Sequence, residues 1–402
     1  MKGGESSLIK RLLTLVLLSG LSLFWINPVS ALSCMVSVTK DNAYPDKCYK
    51  TVRPLTPQIA MAKQVFKKEY FTVLLFLTGC QPDSGGNVTA DYDIRIERPD
   101  GSLYFEQKRI GALQQRQLNP EWTVLSASNL KFYFEAQDMA GKYRIRVKVR
   151  DGNSRQEIVQ ETTVELANYE YQRYFDNDVA LNGWITSYYK NPTPENAIDG
   201  FLYYSQNRPA ETRSVVLYDA FFREIFKNNR YLLPFLIERY EGQNSKTRMQ
   251  ILRLLKTLGC SQNELPKSLT KAELEQYQKP LKDAVIDPYG PWQDPLQLDA
   301  LWGTFLANGS YKPIKRLVET LQFSEFKGAG EKYQNSTKPE ERKKATADAL
   351  YQTAKSMLKR YGSENPLVIE YCNYSYRYEL LTKRVKTELD EILGHNILHT
   401  QV

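Results

Sequence analysis

Apolar and polar residues alternate along the first half of the chain, in short runs of the kind that form strands. In residues 143–150, Tyr, Ile, Val and Val occupy one face while four cations occupy the other. Turn signals such as Pro99-Asp100-Gly101 separate the runs. The other strand-like runs are 70–78, 92–98, 103–108, 130–136 and 157–166. This regular spacing predicts a β-sandwich over residues 62–168.

From about residue 176 the apolar residues recur every three to four positions, which is the period of a helix. Pro, Gly and Asn punctuate the pattern, so the helices are joined by short turns. The predicted helices are 179–190, 194–205, 212–227, 230–240, 246–258, 296–307, 312–321, 340–360 and 366–393. We therefore expect an all-helical, α-solenoid-like domain over residues 178–394.

Three further segments have distinct compositions. Residues 32–61 are polar and contain Pro45, Pro54 and Pro57, which predicts an irregular N-terminal arm. Residues 169–177 form a linker that is aromatic and charged rather than rich in Gly and Ser. We expect this linker to pack between the two domains and to create a groove there. Residues 395–402 are predicted to be a frayed tail.

The first residues have the features of a secretory signal peptide. Lys10 and Arg11 precede an apolar run over 12–25, and Val29-Ser30-Ala31 supplies small residues before a cleavage site. We predict a signal peptide over 1–31, cleavage between Ala31 and Leu32, and an exported protein, either periplasmic or secreted.

Two alternatives to a cleaved leader are less favoured. A retained anchor would need about 20 apolar residues, and this run is shorter. A lipid on Cys34 would make the chain a lipoprotein, but Ala31-Leu32-Ser33 is a poor lipobox. No later apolar segment is long enough to span a bilayer, so no transmembrane segment is expected after cleavage.

Charge and composition indicate a globular protein and argue against nucleic acid as its binding partner. The chain has 402 residues, of which 42% are hydrophobic and 25% are charged, as in ordinary globular proteins of two or three domains. The net charge of +8 is spread along the sequence. Binding to a phosphate backbone needs a concentrated excess of Lys and Arg, so nucleic acid is not an expected partner.

The five cysteines are Cys34, Cys48, Cys80, Cys260 and Cys372. Disulfides persist in an oxidising compartment, and an odd count leaves one thiol over. The predicted pairs are Cys34 with Cys48, which share a short loop, and Cys260 with Cys372, which are the two in the helical part. No pair has the C-x-x-C spacing of a zinc or thioredoxin-like site.

The segment Asp138-Met139-Ala140-Gly141-Lys142-Tyr143 resembles the corner that leads into the sixth strand of immunoglobulin-like domains. The resemblance is to bacterial exported domains of this type, because Ile145 stands where an antibody domain has its second cysteine. It implies that Tyr143 fills the core and that its hydroxyl bonds to backbone near Asp138.

Residues 301–309, followed by Pro313-Ile314 and Leu317-Val318, resemble tetratricopeptide-like helix pairs and a segment of uncharacterised bacterial exported proteins. The sequence has no regular 34-residue period. The resemblance therefore implies irregularly stacked helices rather than a regular repeat array.

Few residues of the kinds that carry catalysis are present. The two histidines, His395 and His399, are in the tail, where they would need partners from elsewhere to hold a metal. The common hydrolase, nucleotide and dinucleotide motifs are absent. We therefore predict no catalytic residue, metal or cofactor, and lean against an enzyme. Paired carboxylates remain the alternative, because glycosidic cleavage needs only two acids.

The cationic row Arg144, Arg146, Lys148 and Arg150 is the candidate binding surface. Its spacing suits a polyanion such as lipopolysaccharide, and the competing interpretation is a solvated face paired with cross-strand acids. We expect an exported, non-enzymatic binding or scaffold protein that recognises a macromolecule of the cell envelope or outside the cell. The alternative is an envelope glycan hydrolase that uses paired carboxylates, and the oligomeric state stays open.

Overall fold

A computed structural model describes the protein over residues 31–52, 57–208, 211–280 and 286–394. The predicted signal peptide, apart from Ala31, and the predicted tail with its two histidines lie outside the described residues. The chain forms a β-rich N-terminal region followed by a helical region, and this order confirms the coarse prediction from the sequence.

The strands of the described residues form two sheets. They are β1 (Ser33–Thr39), β2 (Gln64–Phe66), β3 (Phe71–Thr78), β4 (Asn87–Glu97), β5 (Leu103–Arg116), β6 (Val124–Leu125), β7 (Leu130–Phe132), β8 (Gly141–Asp151) and β9 (Glu157–Ala167). The first sheet has the order β1-β3-β6, with β7 also paired to β3, and the second has the order β2-β9-β8-β4-β5. Only β2 and β9 pair in parallel among these strands.

The two sheets share one hydrophobic core. Alternate residues of β8 are buried in it, because one face of the strand contacts the other sheet while the opposite face meets solvent. Tyr143 is fully buried, and its ring centroid lies 4.3 Å from that of Phe134. Its hydroxyl donates to the carbonyl oxygen of Met139 at 3.0 Å, next to the Asp138 named from the sequence.

Much of the described part of the segment predicted to be an irregular arm forms a strand and a helix, so the prediction was wrong for these residues. Strand β1 pairs with β3 along its whole length, and helix α1 (Tyr44–Tyr49) packs on the other face of β3. Tyr44 is buried there against Leu74 and Phe76. Pro45 lies in the first turn of α1, where the missing N–H costs nothing, so the proline starts a helix instead of preventing one.

The helical region begins close to where the change of period places it. Its helices are α2 (Asp178–Ser187), α3 (Ala197–Gln206), α4 (Thr212–Asn228), α5 (Leu233–Glu238), α6 (Ser245–Thr257), α7 (Lys271–Gln278), α8 (Leu296–Asn308), α9 (Tyr311–Thr320), α10 (Ala329–Lys332), α11 (Pro339–Glu364), α12 (Pro366–Tyr378) and α13 (Lys383–Leu393), with 3-10 turns at Pro194–Asn196, Arg230–Leu232, Gln262–Glu264 and Leu321–Phe326.

The single helix predicted over 366–393 is two helices. Glu379 is extended, and the Thr382 hydroxyl accepts the backbone N–H of Val385 at 3.3 Å. This side-chain cap starts α13 and ends the continuous pattern.

The linker is fixed against the first helices. The buried carboxylate of Asp199, on α3, accepts the backbone N–H groups of Tyr174 and Phe175 at 2.6 and 2.8 Å. It also accepts the Tyr171 hydroxyl at 2.8 Å. One carboxylate therefore satisfies three donors of the linker and holds it in place.

Helices α4 and α8 touch at Gly303. A Cβ atom at this position would lie 2.2 Å from the carbonyl oxygen of Leu217, closer than any real contact. The absence of a side chain on Gly303 therefore sets how closely the two helices approach.

The Tyr143 bond can be removed without removing the ring. We expect Tyr143→Phe to lower the free energy of unfolding by about 0.5–1.5 kcal/mol, because a buried hydrogen bond is lost. Tyr378 is 63% exposed, so Tyr378→Phe is the control and should change stability by less than about 0.5 kcal/mol. Urea denaturation of the full chain measures both values. Equal stability of the wild type and Tyr143→Phe would contradict the role of this bond.

Gly303→Ala should destabilise the protein, although alanine favours helix. The added methyl group forces α8 away from α4, at a cost of roughly 1–3 kcal/mol. Gly183→Ala is the control, because Gly183 is an exposed helical glycine with open space at the Cβ position. That change should stabilise α2 by about 0.5–1 kcal/mol. Thermal unfolding compares the two, and a stabilised Gly303→Ala would contradict the close approach.

Candidate binding site

A cavity of about 450 Å³ lies in the helical region, between α3, α4, α6 and α8. Its size is in the range of small-molecule sites, and apolar side chains make up much of its wall. We call it the arginine pocket. It is lined by Phe201, Arg208, Thr212, Val215, Val216, Asp219, Ala220, Arg223, Gln250, Arg253, Leu254, Thr257, Ile286, Asp294, Leu296 and Ala300.

Helical spacing places the lining of α4 on one face. Thr212, Val216, Ala220 and Arg223 are three or four residues apart, so they follow one another along the helix surface. Ala220 also lies beside Gly303, where its Cβ would be 3.2 Å from an added methyl group. The close approach of α4 and α8 therefore helps to define one wall of the pocket.

The charge of Arg208 is neutralised inside the pocket. Its guanidinium donates to Asp219 at 2.9 Å and also to Gln250. The Tyr204 hydroxyl donates to the same carboxylate at 2.7 Å. Arg208 and Asp219 therefore form a local ion pair that braces α3 against α4.

Arg223 is placed differently. Its side chain is half-buried, and among the described residues it makes one hydrogen bond, to the Ile286 carbonyl oxygen at 3.5 Å. Burial lowers the pKa of this guanidinium, while Glu224 and Asp219 act in the opposite direction. Asp287 acts in the same direction as these two acids, so three carboxylates offset the charge of this half-buried guanidinium.

The charges of the described residues that line the arginine pocket sum to +1. Arg208, Arg223 and Arg253 contribute three positive charges, and Asp219 and Asp294 contribute two negative ones. Glu224 and Asp287, outside this lining, also act on Arg223, so the surroundings of the pocket are not strongly cationic.

A second charged cluster lies where the β-rich and helical regions meet. The Lys40 ammonium is 3.3 Å from Glu69 and 3.2 Å from Glu195, and the Tyr231 hydroxyl donates to Glu69 at 3.0 Å. Burial raises the pKa of Glu69 to about 7, although Lys40 acts in the opposite direction. A small cavity of about 150 Å³ lies beside Lys40 and Glu195.

This cluster has two acids, as a glycan hydrolase requires, but one of them is closed off. The side chain of Glu69 is 0% exposed, and its oxygens accept from Tyr231 and from the backbone N–H of Phe66. No substrate can reach a carboxylate in this position. The arrangement fits an ionic bridge between regions rather than a general acid.

The cationic row lies on the outer face of β8, and each of its four cations has an acidic neighbour. The acids come from the adjacent strands β4 and β9. Cross-strand pairing of this kind leaves little free positive charge for a polyanion. The pairs are Arg144–Glu97 at 3.9 Å, Arg146–Glu161 at 3.5 Å, Lys148–Glu157 at 2.7 Å and Arg150–Asp91 at 3.2 Å.

The structure does not bring the predicted disulfide pairs together, and none of the five cysteines, all of which are described, forms a disulfide. Cys34 faces the core between the sheets, whereas Cys48 packs on the opposite face of β3 with Tyr44. Cys260 follows α6 beside Arg230, and Cys372 is buried on α12. Position along the chain did not reveal that a sheet separates the first pair.

The described residues hold neither a metal-binding cluster nor a membrane-spanning helix. They contain no group of three or more His, Cys, Asp and Glu side chains that could hold a metal ion. Within the same residues, no helix combines the length and apolar character needed to cross a bilayer.

The sequence did not reveal the arginine pocket. Its lining comes from four helices and two connecting segments spread over about a hundred residues. Arg223 and Arg253 each look like part of an ordinary polar helix face, and only the packing of α6 and α8 around α4 turns them inward. The one available signal was the three-residue step from Ala220 to Arg223, which places both on one face of the helix.

Comparisons with known proteins do not assign a family. No family model matches the chain, and no curated protein matches it. A family 123 glycoside hydrolase from Clostridium perfringens aligns over 44% of this chain and 35% of its own, with 9% identity and a TM-score of 0.23. A protein named pT26-6p aligns over 85% of this chain and 49% of its own, with 10% identity and a TM-score of 0.18. The chain spans less than half the length of either structure. Likenesses this weak carry no functional argument.

The buried Glu69 predicts a pH-dependent stability. The pKa of Glu69 is about 7 in the folded protein, against 4.5 ordinarily. Burial of the protonated side chain therefore adds its full contribution to the free energy of unfolding below pH 4.5, and this contribution is lost as the pH rises through 7. We expect the wild type, measured against Glu69→Gln, to be more stable at pH 5 than at pH 8. Urea denaturation at several pH values measures this difference.

Glu161→Gln provides the control, because Glu161 is a surface carboxylate about half exposed. Its stability difference from the wild type should vary much less over the same range. A Glu69→Gln difference that stays constant from pH 5 to 8 would contradict the prediction.

Proposed function

We propose that this protein is an exported, non-enzymatic binding protein that recognises a macromolecule of the cell envelope or outside the cell, and that the arginine pocket holds part of that partner. The observation that carries the proposal is the pocket itself, a cavity of about 450 Å³ with apolar walls and inward-facing arginines. A cavity of this size accommodates one terminal group of a larger molecule.

The proposal includes the finer architecture. We assign the N-terminal region to the immunoglobulin-like sandwiches and the helical region to irregular α-solenoids. Two sheets around one core support the first assignment, as does the Tyr143 bond to Met139. Helix pairs joined by short turns, such as α8 and α9, support the second.

Export is part of the same proposal. Leu32, the residue expected after cleavage, is buried in the core between the sheets. Its backbone N–H donates to the Gln156 side chain at 3.0 Å, a bond that a free amino terminus would also make. A fold that uses Leu32 in this way is compatible with removal of the preceding residues.

A glycan hydrolase is the second candidate, and the arrangement of acids favours binding instead. In the arginine pocket, Asp219 is held by Arg208 and Tyr204. Asp294 is exposed at the rim, and its carboxylate accepts the backbone N–H of Leu296 at 2.8 Å. Neither carboxylate is a desolvated acid placed to protonate a leaving group.

Filling the pocket should remove the function. Val216 is half-buried in the pocket wall, so Val216→Trp should reduce capture of material from isolated bacterial envelopes at least tenfold. Val179 is 82% exposed on α2, and Val179→Trp is the matched control that should capture as the wild type does. Circular dichroism verifies that both variants fold.

Two results would contradict the proposal. Capture that is the same for Val216→Trp and the wild type would remove the pocket from the function. Turnover of envelope glycan by the purified protein, abolished by Asp219→Asn or Asp294→Asn, would establish the hydrolase instead.

A further inference from the structure

We infer that the connection between α12 and α13 docks on an anionic phospholipid surface, into which the side chains of Tyr378 and Leu380 insert. We call these two side chains the apolar tip. The inference goes beyond the proposed function, because the apolar tip lies outside the lining of the arginine pocket and needs no ligand there. Either can hold while the other fails.

The first argument is the exposure of the apolar tip. Leu380 is 105% exposed, more than any other large apolar side chain of the described residues, and Tyr378 is 63% exposed. An apolar side chain that folding leaves in water gains free energy when it enters an apolar phase. A tyrosine suits the boundary of such a phase, because its ring is apolar and its hydroxyl is polar.

The second argument is the fixed shape of the connection that carries the tip. The backbone N–H of Leu381 donates to the Glu379 carbonyl oxygen at 2.9 Å, and the Leu381 side chain packs against the helical core. The Thr382 hydroxyl then caps α13 by accepting the backbone N–H of Val385. Leu380 is therefore held outward, and little conformational entropy is lost when it inserts.

The third argument is the pairing of the charges beside the tip. The carboxylate of Glu379 lies 2.8 Å from the Lys315 ammonium, and that of Glu325 lies 2.8 Å from the Arg384 guanidinium. Lys383 is exposed and has no ion pair among the described residues. An approaching anionic surface therefore meets an unpaired ammonium group, while both of these carboxylates are already neutralised.

A second cation lies one turn further along α13. Lys386 has no acidic partner in the described part of the chain, and its ammonium lies 5.4 Å from the centroid of the Tyr376 ring. A polyanion with no apolar phase would leave Leu380 in water, and an uncharged apolar partner would leave these ammonium groups unpaired. A phospholipid bilayer with anionic headgroups satisfies both.

Hydrogen–deuterium exchange of the full chain measures docking at the connection itself. The probes are vesicles of equal parts phosphatidylglycerol and phosphatidylcholine, and vesicles of phosphatidylcholine alone. We expect the anionic vesicles to slow exchange over residues 379–384 at least threefold, and the neutral vesicles to leave it unchanged. High salt should weaken the protection, because it screens the charges. Exchange is measured on the peptides that span these residues, so any contact of the apolar run at 12–25 with lipid is counted separately.

Two variants separate the apolar and the charged contributions. Leu380→Ser should raise the lipid concentration that gives half of the protection at least fivefold, because the inserting side chain is lost. Lys383→Gln should raise it at least twofold, because an unpaired charge is lost. Val179 is 82% exposed on α2, so Val179→Ser is the matched control and should behave as the wild type does. Circular dichroism verifies that all three variants fold.

Several results would overturn the inference. They are equal protection by neutral and anionic vesicles, no protection by either, and an unchanged half-protecting lipid concentration in Leu380→Ser or in Lys383→Gln. Protection that rises with protein concentration in the absence of vesicles would identify a second copy of the chain as the occupant, and would overturn it too. Envelope capture by Val216→Trp is measured separately, so a failure of this inference is distinguishable from a failure of the proposed function.

Discussion

The ammonium group of Lys40 lies between the carboxylates of Glu69 and Glu195, and the junction of the two regions depends on it. Glu69 comes from the β-rich region and Glu195 from the turn before α3, so one cation joins both. Charges removed from water must be paired, because a lone buried charge costs several kcal/mol. Lys47 forms a second buried ion pair, with Asp41 at 2.6 Å, and it also donates to the Tyr189 carbonyl oxygen. The junction is thus specified by a few paired charges as well as by the apolar contact of Phe66 and Tyr169 with Tyr231.

The packing of the helical region depends instead on how closely the backbones of two helices, α4 and α8, approach each other. Gly303 allows α8 to lie against the backbone of α4, and Gly309 ends α8 in a left-handed conformation with φ of +62°. A side chain at Gly309 would meet Lys47 at 2.6 Å, so the end of α8 is shaped to receive the N-terminal segment. Helix α8 therefore contacts the junction of the two regions at its C-terminal end, and its side forms part of the wall of the arginine pocket.

The sequence predicted the elements whose patterning is local. Strand β8 was predicted because solvent on one face and core on the other impose strict alternation. Helix α4 was predicted within one residue, because its apolar residues repeat over a long span. Strand β2 was missed, since three residues have no pattern and exist as a strand only by pairing with β9. The pocket was also missed because it depends on tertiary packing. Arg223 and Leu254 line one cavity only because their helices pack together, which no local pattern encodes.

The N-terminal segment also has a consequence for the order of folding. Lys50 bonds to the Tyr374 hydroxyl at 3.0 Å, and the backbone N–H of Tyr311 bonds to Asp46. These contacts join residues separated by 324 and 265 positions. A chain made from its N-terminus has α1 available long before α12 exists. The surface against which α1 packs in the native structure is therefore complete only near the end of synthesis. Contacts of such sequence separation slow folding, because loop entropy is lost before the contact is gained. The β-rich region must therefore spend most of synthesis with one side of its first helix uncovered.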